Sequence, residues 1–441
     1  MGTLNMYFRD VPCARLTEGP GGALQLQYLE SWIQENGFPV STRLPVSQDT
    51  YEHEQVAPFV ATFLPEGETL RKRLENLLHV DAAHDFGLLS VIGRECAGAL
   101  SFWPEDEEPT NAAPRYIPLS DAEFNSWKEY AHQLPLQFPG RTIRLSLAGV
   151  QSKAALYFDD EDEAYLPENG APTTHILKPR IQGCWPNSAF VELMTMRIAQ
   201  SVLGQDRVPD SDVWRNCYRV RRFDRLRAKT GVNRLHQEDF CLALGRMPNQ
   251  KYEAGSPQER LLRPCFDLID ALGEREMIRS PAVERFRLLD QVIVNVLLHN
   301  PDAHLKNYAF LYQEDGALEI APLYDGLCTH GLRFESSDAS ASDQGTGPAV
   351  HTRKLSLRIG NAELIDRVGM EDWEVFAEEC GFTQAFVRRR VRQLAESVGE
   401  HLQPTLDAVL EGVPTAEQAA ASIVEGVSRQ VATMSRTNQK P

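Results

Sequence analysis

The sequence predicts an α+β chain, with strands gathered toward the N-terminal side and helices toward the C-terminal side. Two observations predict it. Between residues 143 and 179 short apolar runs rich in β-formers are cut by turn residues, as in "TIRLSLAGVQSKAALYF" and "THILKP". Farther on, "VERFRLLDQVIVNVLLH" spaces Phe286, Leu289, Ile293, Val296 and Leu297 three and four apart, the stripe of a helix packed into a core.

In chain order, the first hundred residues alternate strand-like runs with two candidate helices, Ala23 to Gln34 and Thr69 to Leu78. "WPEDEEPTNAAPRYIPLSDAEFNSW" is acidic and proline-rich and reads as an exposed connection, with a domain boundary near 105 to 135. Next come a hairpin around Gly149, whose second strand is Ala154 to Phe158, and a strand stopped by Pro179. A helix follows, capped at Asn187 or Ser188 and stopped by Gly204. From about Leu235 helices dominate. Pro301 obstructs continuation of the striped helix and leaves Asp302 on a loop. "YAFLYQEDGALEIAPLYD" reads as two strands around a turn at Asp315 and Gly316. The segment "ESSDASASDQGTGPAVH" is too poor in apolar groups to pack and is expected to be mobile. The last ninety residues are expected to be mostly helical, with a fraying polar tail.

With 441 residues, 42% of them hydrophobic, the chain can build the cores of two or three domains. A net charge of −17 repels a phosphate backbone, so sequence-independent DNA binding by the whole chain is not expected and any such role needs a basic patch or a partner. The eight cysteines stand singly, without metal-ligand spacing, and fit buried thiols in a reducing compartment. The N-terminus lacks a signal-peptide pattern, and no apolar run reaches the roughly 18 residues a membrane span needs. A soluble, cytoplasmic protein is expected, with no membrane partner.

"HNPDAHLKNYAFLY" crowds His299, Asp302, His304, Lys306 and Asn307 between two apolar runs. A metal site held by imidazole, the catalytic loop of a phosphoryl-transfer enzyme and a plain polar turn all compete for it. No second ligand cluster supports the first. The second needs an Asp to accept a hydroxyl proton and an Asn five residues later to help hold magnesium, the spacing of Asp302 and Asn307. Asp325, followed by Gly326 after a short hairpin, fits a second magnesium-holding carboxylate. Upstream, Lys178 stands on a strand, Glu192 on the next helix, and "LAGVQSK" between two strands, in the order required of a phosphate-binding lysine, the glutamate that orients it and a phosphate loop. Each feature alone has an ordinary explanation: a solvated lysine, an exposed helix glutamate, a turn at "YDG". One glycine, Gly149, is also few for a phosphate loop. The order of all five points to a magnesium-dependent phosphotransferase with a protein-kinase-like bilobal fold.

These residues resemble the HipA-type serine/threonine kinases, toxins of bacterial toxin–antitoxin pairs. "DFGLLSVIGRECAGALSFWPEDE" resembles that family's N-terminal subdomain, "SLAGVQSKAAL" its phosphate loop and "RLHQEDFCLALG" its substrate-side segment. "NPDAHLKNYAFLY" and "IAPLYDG" resemble its catalytic and metal loops. The resemblance implies three parts: an N-terminal subdomain at 1–110, a kinase N-lobe at 111–220 and a helical C-lobe at 221–441. It implies Asp302 as catalytic base, Asn307 and Asp325 as magnesium ligands, and ATP as the nucleotide. Ala148, Gly149, Val150, Gln151, Ser152 and Lys153 would cover the phosphates and Lys178, with Glu192, would hold them. Arg221, Arg222 and Phe223 of "VRRF" would form the adenine-reading hinge, and His304, Leu305, Lys306 and Tyr324 would line the nucleotide site.

Ser146 matches the position of inactivating autophosphorylation; without the resemblance it is an ordinary strand-end serine. A dianion there would be repelled by the ATP phosphates. Ser152 and Arg221 depart from residues that are often acidic in the family. The implied partners are a HipB-like helix-turn-helix antitoxin, DNA through that antitoxin, and a protein substrate such as glutamyl-tRNA synthetase, an aminoacyl-tRNA synthetase. Two other functions compete: a corepressor with a vestigial kinase site, and a small-molecule phosphotransferase. The basic run Arg215, Arg219, Arg221, Arg222, Arg225, Arg227 and Lys229 fits either attraction of phosphate or tRNA or, preferred on its alternation, one solvated face.

Overall fold

The run LQLQY, read above as the start of a helix, is a strand. In the computed structural model Leu24, Leu26 and Tyr28 are buried and Gln25 and Gln27 exposed, and helix lasts only from Glu30 to Gln34. The period of two in that pentapeptide outweighs helix propensity, because a helix would have turned its glutamines into the core. The structure describes residues 2–109, 115–131, 137–138, 141–142, 153–181, 187–229, 231–253, 259–332 and 353–435. Ser146, Ala148, Gly149, Val150, Gln151 and Ser152, the expected strand at 143–147 and the polar segment 335–351 lie outside these residues.

The chain divides into two compact units. The first comprises Met1–Pro179, Arg221–Asn249 and Phe310–Gly316; the second comprises Arg180–Val220, Gln250–Ala309 and Ala317–Pro441. Residues 221–249, placed by sequence in the C-terminal part, thus cluster with the N-terminal residues.

The first unit opens with a four-stranded antiparallel sheet in the order Leu24–Tyr28, Val11–Glu18, Gly2–Phe8, Leu100–Pro104, in which Met6 faces Ala14 on one side and Phe102 on the other. Helices His53–Thr62, Glu68–Leu78 and Asp85–Ile92 contribute Val56, Phe59, Val60, Leu74, Leu88 and Leu89 to its core. A second antiparallel set runs His175–Pro179, Ala154–Phe158, Ala164–Glu168, Arg115–Pro118, with Leu177 opposite Ala154 and Tyr116 opposite Pro167. The expected strands at Ala154 to Phe158 and in "THILKP" are therefore present.

Two buried polar clusters tie the N-terminal sheet region to residues 222–239. Glu238 accepts hydrogen bonds from Ser41 Oγ (2.5 Å), Thr42 N (2.9 Å) and Tyr312 Oη (3.1 Å). The other cluster joins Glu95 and Asp224 to Arg222, Arg225 and Arg234, all buried. Burial alone pushes the Glu95 carboxyl up, but the charges of Arg225, Arg234 and Arg222 outweigh it and lower it to about 2. Asp224 is lowered in the same way, by Arg222 and Arg225 against burial. Both carboxylates therefore bind protons less tightly folded than unfolded. The stability they contribute is present in full above the ordinary value of 4.5 and is lost as pH falls from there toward 2. Denaturant midpoints measured from pH 6 to pH 2.5 are expected to fall steeply below 4.5, and the slope is expected to flatten in Glu95→Gln. An unchanged slope in that variant would show that other groups set acid stability.

The same cluster corrects the preferred reading of the basic run. Arg219, Arg222 and Arg225 are buried, and only Arg215, Arg221, Arg227 and Lys229 are exposed. Arg219 pairs with Asp212 at 2.6 Å. The strand ends at Arg221 and the turn at Phe223–Asp224 breaks the alternation, so the arginines do not share one face.

In the second unit the 29-residue helix Gln384–Gly412 packs against Ser188–Leu203, Pro281–Leu297, Met370–Glu379 and Glu417–Ser435. The C-terminal region is helical as its sequence predicts. Asn187 precedes Ser188–Leu203 and Gly204 ends it with φ +101°, a conformation that favours glycine. Asp290, fully buried on Pro281–Leu297, receives Arg207 at 2.7 Å and both Nε and Nη2 of Arg390 at 2.6 and 2.8 Å. Among the described residues no helix is long and apolar enough to cross a membrane.

Candidate active site

Pro281 starts the central helix at its first turn, where a missing N–H costs nothing, and Leu288, Leu289, Val292, Ile293, Val296 and Leu297 bury its apolar stripe. The helix ends at His299 in the left-handed region, φ +60°, its N–H donating to Val296 O. The ring of His299 turns to Asp366, with Nε2 2.7 Å from Oδ1. Burial lowers its pKa against the pull of Asp366.

The loop beyond is pinned by main-chain bonds. Ser356 N donates to Pro301 O at 2.8 Å, Leu305 N to Lys251 O at 3.2 Å and His304 N to Asp302 O at 2.8 Å. One 3-10 turn, Leu305–Asn307, follows, closed by Asn307 N donating to His304 O and by Asn307 Oδ1 accepting from His304 N at 3.1 Å. Asn307 Nδ2 donates to Asp325 Oδ2 at 3.1 Å, and Tyr324 Oη donates to Lys306 O at 2.7 Å, so the two loops close on each other.

Asp325 itself is exposed and adopts φ +59°, an unfavourable backbone conformation for a non-glycine residue. The next residues are anchored to helix Ser188–Leu203: Cys328 N donates to Thr195 Oγ1 at 3.0 Å and Gly326 N to Met196 Sδ at 3.3 Å. A side chain at Gly326 would press on that sulfur, its Cβ lying 3.1 Å away. Glu192 lies on the same helix and is buried. In the first unit Lys178 is buried, Lys153 and Phe223 are half-buried, and Arg221 is exposed. All five N–H donors of Arg222 are taken within the buried cluster, so a part for it in reading adenine falls to its main chain.

Asp302 is half-buried, and Ser356 Oγ donates to its Oδ1 at 3.4 Å. Burial first, then the charge of Asp325, raises its pKa to about 6, against Lys251 and hydrogen bonds from Ser356 and Tyr252. A carboxylate with that pKa is ionised at neutral pH yet basic enough to take a proton, the property a general base needs. Asn307 and Asp325 both carry oxygen donors, the type magnesium takes. Asn307 presents its amide nitrogen to Asp325, so its amide must turn over for oxygen to join Asp325 on a cation. Among the described residues no group of three or more His, Cys, Asp and Glu side chains is placed to hold a metal.

Sequence reading missed Lys251, Tyr252 and Ser356. Ser356 enters from a strand, Lys354–Ile359, whose place beside the loop no local pattern announces. Tyr252 packs its ring on His304, centroids 5.2 Å apart.

Residues 145–402, which contain the whole of this site, match the family model of the HipA-like C-terminal domain, and residues 4–103 match that of the HipA N-terminal domain. The chain belongs to the HipA family of kinases. Over 358 residues it is 30% identical to the serine/threonine-protein kinase toxin HipA of Shewanella oneidensis, an alignment covering 78% of this chain and 80% of that one. It is 35% identical over 414 residues to the protein Y4mE of Sinorhizobium fredii, covering 92% of each. The solved complex of Shewanella oneidensis HipA and HipB with operator DNA contains a chain of similar fold, with a TM-score of 0.76 at 23% identity, covering 98% of this chain and 96% of that one. The α+β fold and serine/threonine kinase activity implied by the resemblance therefore hold for this HipA-type chain.

Proposed function

We propose that this HipA-type kinase transfers the γ-phosphoryl group of ATP to a serine or threonine hydroxyl of a protein, with magnesium, as the toxin of a toxin–antitoxin pair. The convergence of Asp302, Asn307 and Asp325 on one pair of loops carries the reading. Asp302 takes the hydroxyl proton as the substrate oxygen forms its bond to the γ-phosphorus; the bond from that phosphorus to the bridging oxygen breaks, and ADP leaves with the electron pair. Asp325 and Asn307 would hold magnesium, which would supply positive charge against the transferring phosphoryl group. Lys178 and the loop Ala148 to Lys153 serve the ATP phosphates, Glu192 is the supporting acidic residue, and His304, Leu305, Lys306 and Tyr324 shape the nucleotide site. Arg221, Arg222 and Phe223 form the hinge. Ser146, before the phosphate loop, is the site at which the kinase inactivates itself.

The partner is a HipB-like helix-turn-helix antitoxin, through which the acidic chain reaches DNA; the Shewanella HipA, HipB and DNA assembly supports this. A translation enzyme such as glutamyl-tRNA synthetase fits as substrate, and the cytoplasm as the place of action.

Purified chain incubated with γ-labelled ATP and magnesium is expected to label itself. Chelating the metal or replacing Asp325 by Ala is expected to lower labelling at least tenfold, as loss of a metal ligand should. Expression without antitoxin is expected to arrest growth, and Asp325→Ala to relieve the arrest. Arrest that survives Asp325→Ala would favour antitoxin binding and corepression over catalysis. Phosphorylated sugar or antibiotic without protein labelling would favour a small-molecule kinase.

A further inference from the structure

Arg222, the middle residue of 221–223, is bonded through its side chain to Glu95, a carboxylate from the N-terminal sheet region. Arg222 N donates to Thr174 O at 2.9 Å, next to strand His175–Pro179, which carries Lys178. Its side chain runs into the buried cluster. Nη1 donates to Glu95 Oε1 at 3.1 Å and to Thr173 Oγ1 at 2.9 Å; Nη2 donates to Cys96 O at 3.1 Å and to Asp224 Oδ2 at 2.8 Å; Nε donates to Asp224 Oδ1 at 2.9 Å.

Glu95 is the node. Its Oε1 also accepts from Thr173 N and Oγ1, both at 3.2 Å, and from Arg225 Nη2 at 2.9 Å; its Oε2 accepts from Arg234 Nε and Nη2 at 3.1 and 3.0 Å. Gly98 N, three residues on, donates to Asp224 Oδ2 at 2.7 Å. A planar guanidinium with every donor engaged has one orientation, and its Cα and the adjoining peptides are placed with it. Buried ion networks add little net stability compared with apolar packing, so what such a cluster supplies is a fixed geometry.

We propose that Glu95 is a positioning residue for nucleotide binding: by clamping Arg222 it sets the main chain of Arg221 to Phe223 in the conformation that receives the base. The inference rests on the assignment of those residues as the hinge. It makes the N-terminal domain part of the nucleotide-binding apparatus, and linkage then makes the effect reciprocal, so ATP tightens the Glu95 cluster.

The test is calorimetric binding of magnesium–ATP to the full chain, beside steady-state kinetics of protein labelling. In Glu95→Gln the dissociation constant and KM for ATP are expected to rise about tenfold, a coupling of ordinary size between linked sites, while kcat stays within about twofold. If Glu95→Gln does not fold, Thr173→Val removes one of the carboxylate's donors, the Thr173 hydroxyl, and with it an acceptor of Arg222 Nη1, without leaving a new buried charge, and the same split is expected with a smaller rise. A folded variant with lowered melting temperature but unchanged ATP affinity would reduce the cluster to a structural role and overturn the proposal. Equal loss of kcat and affinity would overturn it too. Wild-type chain that binds ATP without labelling protein would count against the kinase assignment alone, because the binding comparison still decides the role of Glu95. Wild-type chain that binds no ATP would remove the hinge and this proposal with it.

Discussion

Replacing Asp302 by alanine or asparagine lowers the rate of phosphoryl transfer by roughly a hundredfold to ten-thousandfold, the range expected when a general base is lost from an otherwise intact site. Asparagine is the sharper probe, since it keeps the size of the side chain and can still accept from Ser356 but cannot take a proton. Incorporation of label from ATP measures the effect, with circular dichroism and melting as controls for folding. Labelling at the wild-type rate by a folded Asp302→Ala would remove Asp302 from the mechanism. The pH profile gives a second reading of the same group. Burial, then the Asp325 carboxylate, raises the Asp302 pKa to about 6, so below that pH the base is protonated. The rate is expected to fall about tenfold per unit on that limb and to level off above it. Neutralising the Asp325 charge removes one of the two causes of the raised pKa. The limb should therefore move to lower pH as magnesium is increased.

Much of this site was legible because it is local. The stripe from Phe286 to Leu297 fixes a helix, Pro301 follows its end, and the five-residue step from Asp302 to Asn307 closes with one turn of 3-10 helix, Leu305–Asn307. Asp325 was legible by its place after a turn, and the structure puts its carboxylate on Asn307. What could not be read is nonlocal. Ser356 reaches Asp302 from 54 residues away, and Glu95 reaches Arg222 from 127. No periodicity records such contacts.

The arginines at 215–227 show how this misleads. Their alternation suggested one wet face, but two acids neutralise the buried members, Glu95 far upstream and Asp224 inside the run itself. An acidic residue embedded in a basic run was the available sign that part of the run is paired. Similarly, Gln25 and Gln27 between apolar residues were the sign that Leu24–Tyr28 is a strand. The wider window favoured a helix only because helix Glu30–Gln34 follows directly.

Replacing Asp290 by alanine is expected to lower unfolding free energy by about 3 to 5 kcal/mol, because it leaves two guanidinium groups facing each other without their shared carboxylate. Asp290 is fully buried, while the side chains of Arg207 and Arg390 retain 19% and 22% exposure, so partial hydration of the arginines places the cost toward the lower end. Denaturant titration measures it as a fall in midpoint at constant slope. Arg390→Met should cost less, since Asp290 keeps Arg207 at 2.7 Å and the methionine covers the face of Phe286, over which the guanidinium lies 4.5 Å from the ring centroid. An Asp290→Ala no less stable than Arg390→Met would mean that the carboxylate is not the keystone of the contact between Pro281–Leu297 and Gln384–Gly412. The outcome bears on catalysis as well. Helix Pro281–Leu297 ends five residues before Asp302, and the loop inherits its position from that helix. A shift of the helix should therefore lower kcat in the surviving folded fraction even though Asp290 touches neither loop.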